Sequence, residues 1–218
     1  MAIFFNRFNG VSGGEQWRYA APVTAAPLSF SFHVFPAVLG ISGVYIPLWI
    51  GNDSGGVWDA FYCHYDERYD FRVAVAANNN FAGTDHLALN ALQWNHIGGV
   101  YASSASRIAY ANGIASPTET TDLTPSGIDS LNLSGSSVSG SIEHPLHGLI
   151  AEIGVWDVAL TATEVTTLSQ GVSPLMVRPQ SLRFYAPLND TRSQSLFGGN
   201  TVATTGGGTT DHPRVRAR

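Results

Sequence analysis

Apolar side chains recur at every second position through the first two thirds of the chain, a period that belongs to strands burying one face. Ser29 to Phe35 sets Phe30, Phe32 and Val34 on one side. Val44 to Ile50 sets Val44, Ile46, Leu48 and Ile50 together, with Tyr45 and Trp49 opposite. A strand apolar on both sides needs cover on both, from a second sheet and from a loop or neighbour. Trp58 to Tyr65 and Tyr69 to Ala76 follow, with Asp66-Glu67-Arg68 between them as a hairpin loop. Further strands are predicted at Leu87 to Asn90, Trp94 to Tyr101, Arg107 to Ala111, Ile128 to Leu133, Leu149 to Val158 and Gln180 to Leu188. In the Leu149 run, Leu149, Ala151, Ile153 and Val155 share one face, and Ile150, Glu152 and Trp156 the other.

Punctuation between the runs agrees with this. Asn112-Gly113 signals a type I′ hairpin turn, because both central residues tolerate positive φ. One helix is predicted, Thr161 to Ser169, with Thr161 as N-cap, Glu164 completing a capping box and Gly171 just past the end. Short strands, frequent turns and a single helix near residues 161–169 define an all-β class, a two-sheet antiparallel sandwich. The predicted domain spans residues 1–189. Residues 190–218, with Thr204-Thr205-Gly206-Gly207-Gly208-Thr209-Thr210, form a C-terminal extension that docks on the domain or on a neighbour.

Composition narrows the partners. Hydrophobic residues make up 44% of the chain, enough for a sizeable core, and charged residues only 12%, too few for a set of solvated amphipathic helices. Sixteen acids face 11 bases for a net charge of −5, and every base is arginine. Scattered arginines on an acidic chain leave no electrostatic footprint for nucleic acid. No apolar stretch approaches the length of a bilayer span. Cys63 is the single cysteine, so no intrachain disulfide forms, and a buried strand position suits it. The first residues show no secretory signal pattern, and synthesis in a cytoplasm is the expectation.

Several segments together resemble the concanavalin A-like, laminin-G-like and pentraxin-like domains. Phe8-Asn9-Gly10 is similar to the family's opening "FDG" strand, and Trp94-Asn95-His96-Ile97-Gly98-Gly99-Val100-Tyr101 to its "WHHVAGVY" strand. Ile108-Ala109-Tyr110-Ala111-Asn112-Gly113 resembles the following "LYVNG" hairpin. Gly148 through Val165 resembles the closing strand and helix. The resemblance covers roughly residues 4 to 170 and implies a jelly roll that binds sugars or proteins, often with calcium. Val172 to Pro179, Tyr185 to Leu188 and Asp211-His212-Pro213 further resemble laminin-G-like proteins encoded by tailed phages.

Glycoside cleavage needs two carboxylates in one cleft. Asp66, Glu67 and Asp70 bracket a turn, while Glu152 and Asp157, five apart, point to opposite faces of a regular strand. No enzymatic pair results. His144 and His147 diverge on a strand and read as a surface loop. Asn52 and Asp53 are the best calcium-ligand candidates, although both are ordinary turn formers. Tyr45, Trp49, Trp58 and Tyr62 are the candidate carbohydrate- or partner-binding aromatics. Arg214, Arg216 and Arg218 form a basic tip suited to assembly contacts. The expected role is a non-enzymatic phage virion component, a capsid decoration or tail-associated protein. Its partners would be copies of itself, other virion proteins and possible glycans. A carbohydrate-binding adhesion module is the alternative, and a glycan-cleaving enzyme ranks behind both.

Overall fold

The computed structural model describes residues 2–5, 16–37, 43–66, 68, 70–188, 201–204 and 208–210. In chain order the strands are β1 (Ala2–Phe5), β2 (Trp17–Ala20), β3 (Leu28–Pro36), β4 (Val44–Gly51), β5 (Ala60–Asp66) and β6 (Asp70–Ala77). Then come β7 (Asn80–Gly83), β8 (Leu87–Ala88), β9 (Asn95–Ser103), β10 (Ser106–Ala111), β11 (Ile114–Ala115) and β12 (Ser130–Leu133). A small hairpin of β13 (Ser136–Val138) and β14 (Ser141–Glu143) precedes β15 (Gly148–Trp156) and the helix α1 (Ala162–Ser169). β16 (Leu182–Ala186), β17 (Thr201–Thr204) and β18 (Gly208–Thr210) complete the described elements.

The strands form two antiparallel sheets. The first runs β11-β10-β9-β3-β15-β1-β18, with β16 also on β15, and the second runs β17-β2-β12-β4-β5-β6-β7, with β8 also on β6. Together they make a jelly-roll sandwich. Phe30, Phe32, Ile97, Ile150, Val155 and Phe184 from the first sheet meet Trp17, Leu48, Ile50, Phe61, Val73 and Leu131 from the second. Tyr101 crosses that core. Its hydroxyl lies 2.8 Å from the carbonyl oxygens of both Tyr62 and Ala74, tying the first sheet to the middle of the second.

Local signals hold where the chemistry is local. α1 starts at the Thr161 N-cap with the capping box to Glu164 formed in both directions. Val165 and Leu168 seat the helix on the outer face of the first sheet, against Val100, Tyr110 and Trp156. Asn112 and Gly113 both take positive φ, 50° and 83°, in the β10–β11 turn. Cys63 is buried in the core, where burial pushes its thiol well above the usual range.

Two face assignments differ from the alternation. In β4 the register shifts between Tyr45 and Leu48. Tyr45, Leu48 and Ile50 therefore face the core, while Ile46 and Trp49 lie outside, so Tyr45 and Trp49 do not share a face. Pro47 supplies the reason: it has no N–H for the ladder, and a bulge accommodates it. The bulged backbone is bonded elsewhere, with Gly135 N donating to Ile46 O and Ile46 N to His144 O. In β15 the register shifts between Ala151 and Gly154, and Glu152 takes a φ of 56°. Ile150 consequently joins Ile153 and Val155 in the core, and Leu149 and Ala151 turn outward. The Glu152 carboxylate, at the bulge, accepts from Tyr185 Oη at 2.7 Å, while Asp157 pairs with Arg183.

The C-terminal extension pairs with its own domain wherever it is described. β17 lies against β2 at the edge of the second sheet, and β18 against β1 in the first. Arg214, Arg216 and Arg218 lie outside the described residues.

Candidate functional site

The outer face of the second sheet carries Trp49, Tyr62 and the rings that meet them. Pairing sets Arg18, Asn132, Trp49, Tyr62, Ala74 and Gly83 in one row across five antiparallel pairs. The next row reads Ala20, Ser130, Gly51, Ala60, Ala76 and Phe81. Its small members leave a trough into which aromatic rings lean. The Trp49 indole lies over Gly51, filling the space that a Cβ there would need.

Trp58, in the loop before β5, is the hub of the trough. Its ring meets Trp49 at 4.8 Å, Phe81 at 5.7 Å, His144 at 5.9 Å and Tyr62 at 6.1 Å, all edge to face. Such geometry matches the electron-poor edge of one ring to the face of the next. Trp49 and Tyr62 are buried beneath; Trp58 is half-buried and Phe81 is 55% exposed. Backbone contacts fix Trp58 from both sides: its N–H donates to Asn79 Oδ1 at 2.8 Å, and Asn79 N donates to its carbonyl at 3.2 Å. Asn78 and Asn79 hold positive φ in the β6–β7 turn, and Phe81 follows on β7.

Beyond Tyr62 the face turns cationic. His64 stands 5.8 Å from the Tyr62 ring and opposite Arg72, whose Nε donates to His64 Nε2. Burial, helped by Arg72, His86 and His144, depresses His64 to about 3, so it is neutral and able to accept that N–H. Burial likewise raises the Tyr62 hydroxyl to about 12.

The candidate residues fall into three groups. Trp49, Trp58 and Tyr62 come together, whereas Tyr45 packs inside against Tyr65 at 5.3 Å. Asn52 and Asp53 are engaged as turn and ion-pair residues. Asn52 Oδ1 accepts from Gly55 N at 2.7 Å, and Asp53 pairs with Arg18 and accepts from Ser137 Oγ. Asp129 closes the same loop by accepting from Asp53 N at 2.9 Å and from Ser54 Oγ at 2.6 Å. Among the described residues no group of three or more His, Cys, Asp or Glu is placed to hold a metal. None of their helices is long and apolar enough to cross a membrane. His144 reaches Trp58, while the His147 carbonyl accepts from Ala37 N at the entrance to β15. Sequence reasoning missed Phe81, Asn79 and Arg72; the run Asn78-Asn79-Asn80 was the available signal for a turn placing Phe81 on a strand.

A family model described as the concanavalin A-like lectin/glucanases superfamily matches residues 9–166. A heptameric pentraxin of Limulus polyphemus superposes with a TM-score of 0.60 at 16% identity, over 77% of this chain and 81% of that one. The CBM40 of a Ruminococcus gnavus sialidase, solved with α2,3-sialyllactose, gives 0.60 at 14% identity, over 74% and 97%. Domain 4 of a Geobacillus stearothermophilus arabinanase, solved with arabinotriose, gives 0.57 at 18% identity, over 77% and 87%. At these identities the likeness is one of fold. No curated protein sequence matches.

Proposed function

The chain belongs to the concanavalin A-like lectin/glucanases superfamily, and from that premise we propose that it is a non-enzymatic binding domain whose ligand is a glycan laid on the outer face of the second sheet. The observation that carries this reading is the contact of half-buried Trp58 with exposed Phe81, on a trough of small residues and backed by the buried rings of Trp49 and Tyr62. Sugar rings offer apolar C–H faces that stack on aromatics, and polar edges that need donors and acceptors. His144 and Arg72 supply such groups beside the platform. The platform is held before any ligand arrives, because Asn79 pins the Trp58 backbone, and pre-organisation spares ordering entropy on binding. Glycan-bound structures among the compared domains support the same ligand class.

A tryptophan-fluorescence titration with arabinotriose and with 3′-sialyllactose tests the reading. Trp58→Ala is expected to weaken whichever glycan binds by about tenfold, the loss of one stacked ring. Unchanged affinity in that variant would remove the platform from the site.

A second reading, assembly within a phage virion, is favoured by the resemblance of Val172 to Pro179 and Tyr185 to Leu188 to tailed-phage proteins. Copies of this chain and other virion proteins would then be its partners, as capsid decoration or tail-associated component. Light scattering on the full chain is expected to show a stable oligomer under this reading, and a monomer at micromolar concentration counts against it.

A further inference from the structure

Resting on the glycan-binding reading, we infer that the ligand carries a carboxylate, received by the Arg72 guanidinium at the cationic end of the aromatic trough. Charge pairing elsewhere makes Arg72 stand out. Arg18 holds Asp53, Arg68 holds Asp66, Arg107 faces Glu119, Arg178 holds Glu164 and Arg183 holds Asp157. Arg72 has no carboxylate at ion-pair distance among the described residues, in a chain where acids outnumber bases 16 to 11.

Arg72 is half-buried and its Nε is committed to His64, which leaves the two terminal nitrogens as the fork. That fork is the donor pattern matched by the two oxygens of a carboxylate. Arg72, His86 and His144 all act electrostatically on His64, which burial keeps neutral, so the charge of this end is that of Arg72. Asp66 also acts on His64, but its carboxylate and that of Asp70 are both engaged by Arg68, at 2.6 and 3.5 Å. Gly83, opposite Ala74, clears space along the Arg72 stem; a Cβ there would touch Arg72 Cδ at 3.3 Å. Aromatic stacking at Trp58 and Phe81 and a forked cation beyond Tyr62 thus lie on one continuous surface, the arrangement an acidic pyranose needs.

Calorimetric titration with two pairs of probes tests this: trigalacturonic acid against its methyl ester, and 3′-sialyllactose against lactose. At pH 7 and low salt, at least one acid is expected to bind about tenfold tighter than its neutral counterpart, an advantage that shrinks as salt rises. Arg72→Gln should erase that advantage by weakening each acid more than its neutral counterpart, and Arg72→Lys should keep part of it, since the charge stays while the fork is lost. Near-ultraviolet circular dichroism of both variants confirms the fold. Equal binding of acid and neutral probes, or a full advantage retained in Arg72→Gln, overturns the carboxylate assignment. Trp58→Ala separates the two ideas: if it weakens both members of a pair while Arg72→Gln weakens neither, the glycan reading stands and the carboxylate falls. If Trp58→Ala weakens nothing, both fall together.

Discussion

Lowering the pH from 7 to 4 is expected to destabilise the fold by about 3 kcal/mol through His96 alone, at 1.36 kcal/mol per pH unit below the unfolded value near 6.5. His96 is 3% exposed on β9, its Nε2 2.8 Å from Ser31 Oγ and its ring 5.3 Å from that of His33. Burial first, then the neighbouring His33, depresses it to about 3. A histidine depressed on folding binds its proton more readily in the unfolded chain. Its contribution is whole above about 6.5 and drains away as pH falls towards 3. His64, depressed for the same leading reason, acts in the same direction. Below about pH 4 carboxylates join in, since Glu119, hydrogen-bonded by Thr121, is held below its ordinary value. For a chain of this size the His96 term is a drop of about 6–12 °C in the thermal midpoint. Calorimetry from pH 8 to 4 checks it. His96→Gln, which keeps a polar partner for Ser31 without a titrating ring, should flatten the curve. A wild-type midpoint that does not move between pH 7 and 4.5 would sink the assignment.

Gly148→Ala is expected to cost about 3 kcal/mol, at the upper end for overpacking, because the obstacle is backbone. Gly148 opens β15, paired with Pro36 of β3 on one side and Phe5 of β1 on the other. A Cβ there would run into the Phe35 carbonyl oxygen, with Ala37 N 3.3 Å away. No side-chain rotation relieves that contact; β3 and β15 would have to part where three strands meet. Gly56→Ala is the control, since a Cβ at Gly56 meets nothing within 4 Å. Urea denaturation of the two variants should separate them clearly. Equal midpoints would mean that the strand ends yield more easily than their packing implies.

Gly148 also shows what could be read in advance. It heads the segment whose resemblance pointed to the closing strand, and the capping box at Thr161 and the turn at Asn112-Gly113 were equally legible. Each depends on residues a few positions apart. The face assignments of β4 and β15 were not legible, and for one cause. A single extra residue at Ile46–Pro47 and another at Glu152 reverse every side chain on one side of the bulge. Pro47 was a visible warning; Glu152 inside an apolar run was a fainter one. That reversal moved Tyr45 into the core and kept Trp49 beside Trp58 and Tyr62. The cationic half of the site was hidden for a different reason. That Arg72 keeps no acid among the described residues, while Arg18, Arg68, Arg107, Arg178 and Arg183 each have one, depends on cross-strand register and on loops over many residues.

The two C-terminal strands have a consequence for how copies of this molecule meet. β18 pairs along β1 and β17 along β2, so these two short strands take the end places of their sheets in place of β1 and β2. An uncapped edge is a row of unspent amide donors and acceptors, and a second molecule can extend the sheet from it. A molecule extending either sheet there would have to pair with β17 or β18 in place of β2 or β1.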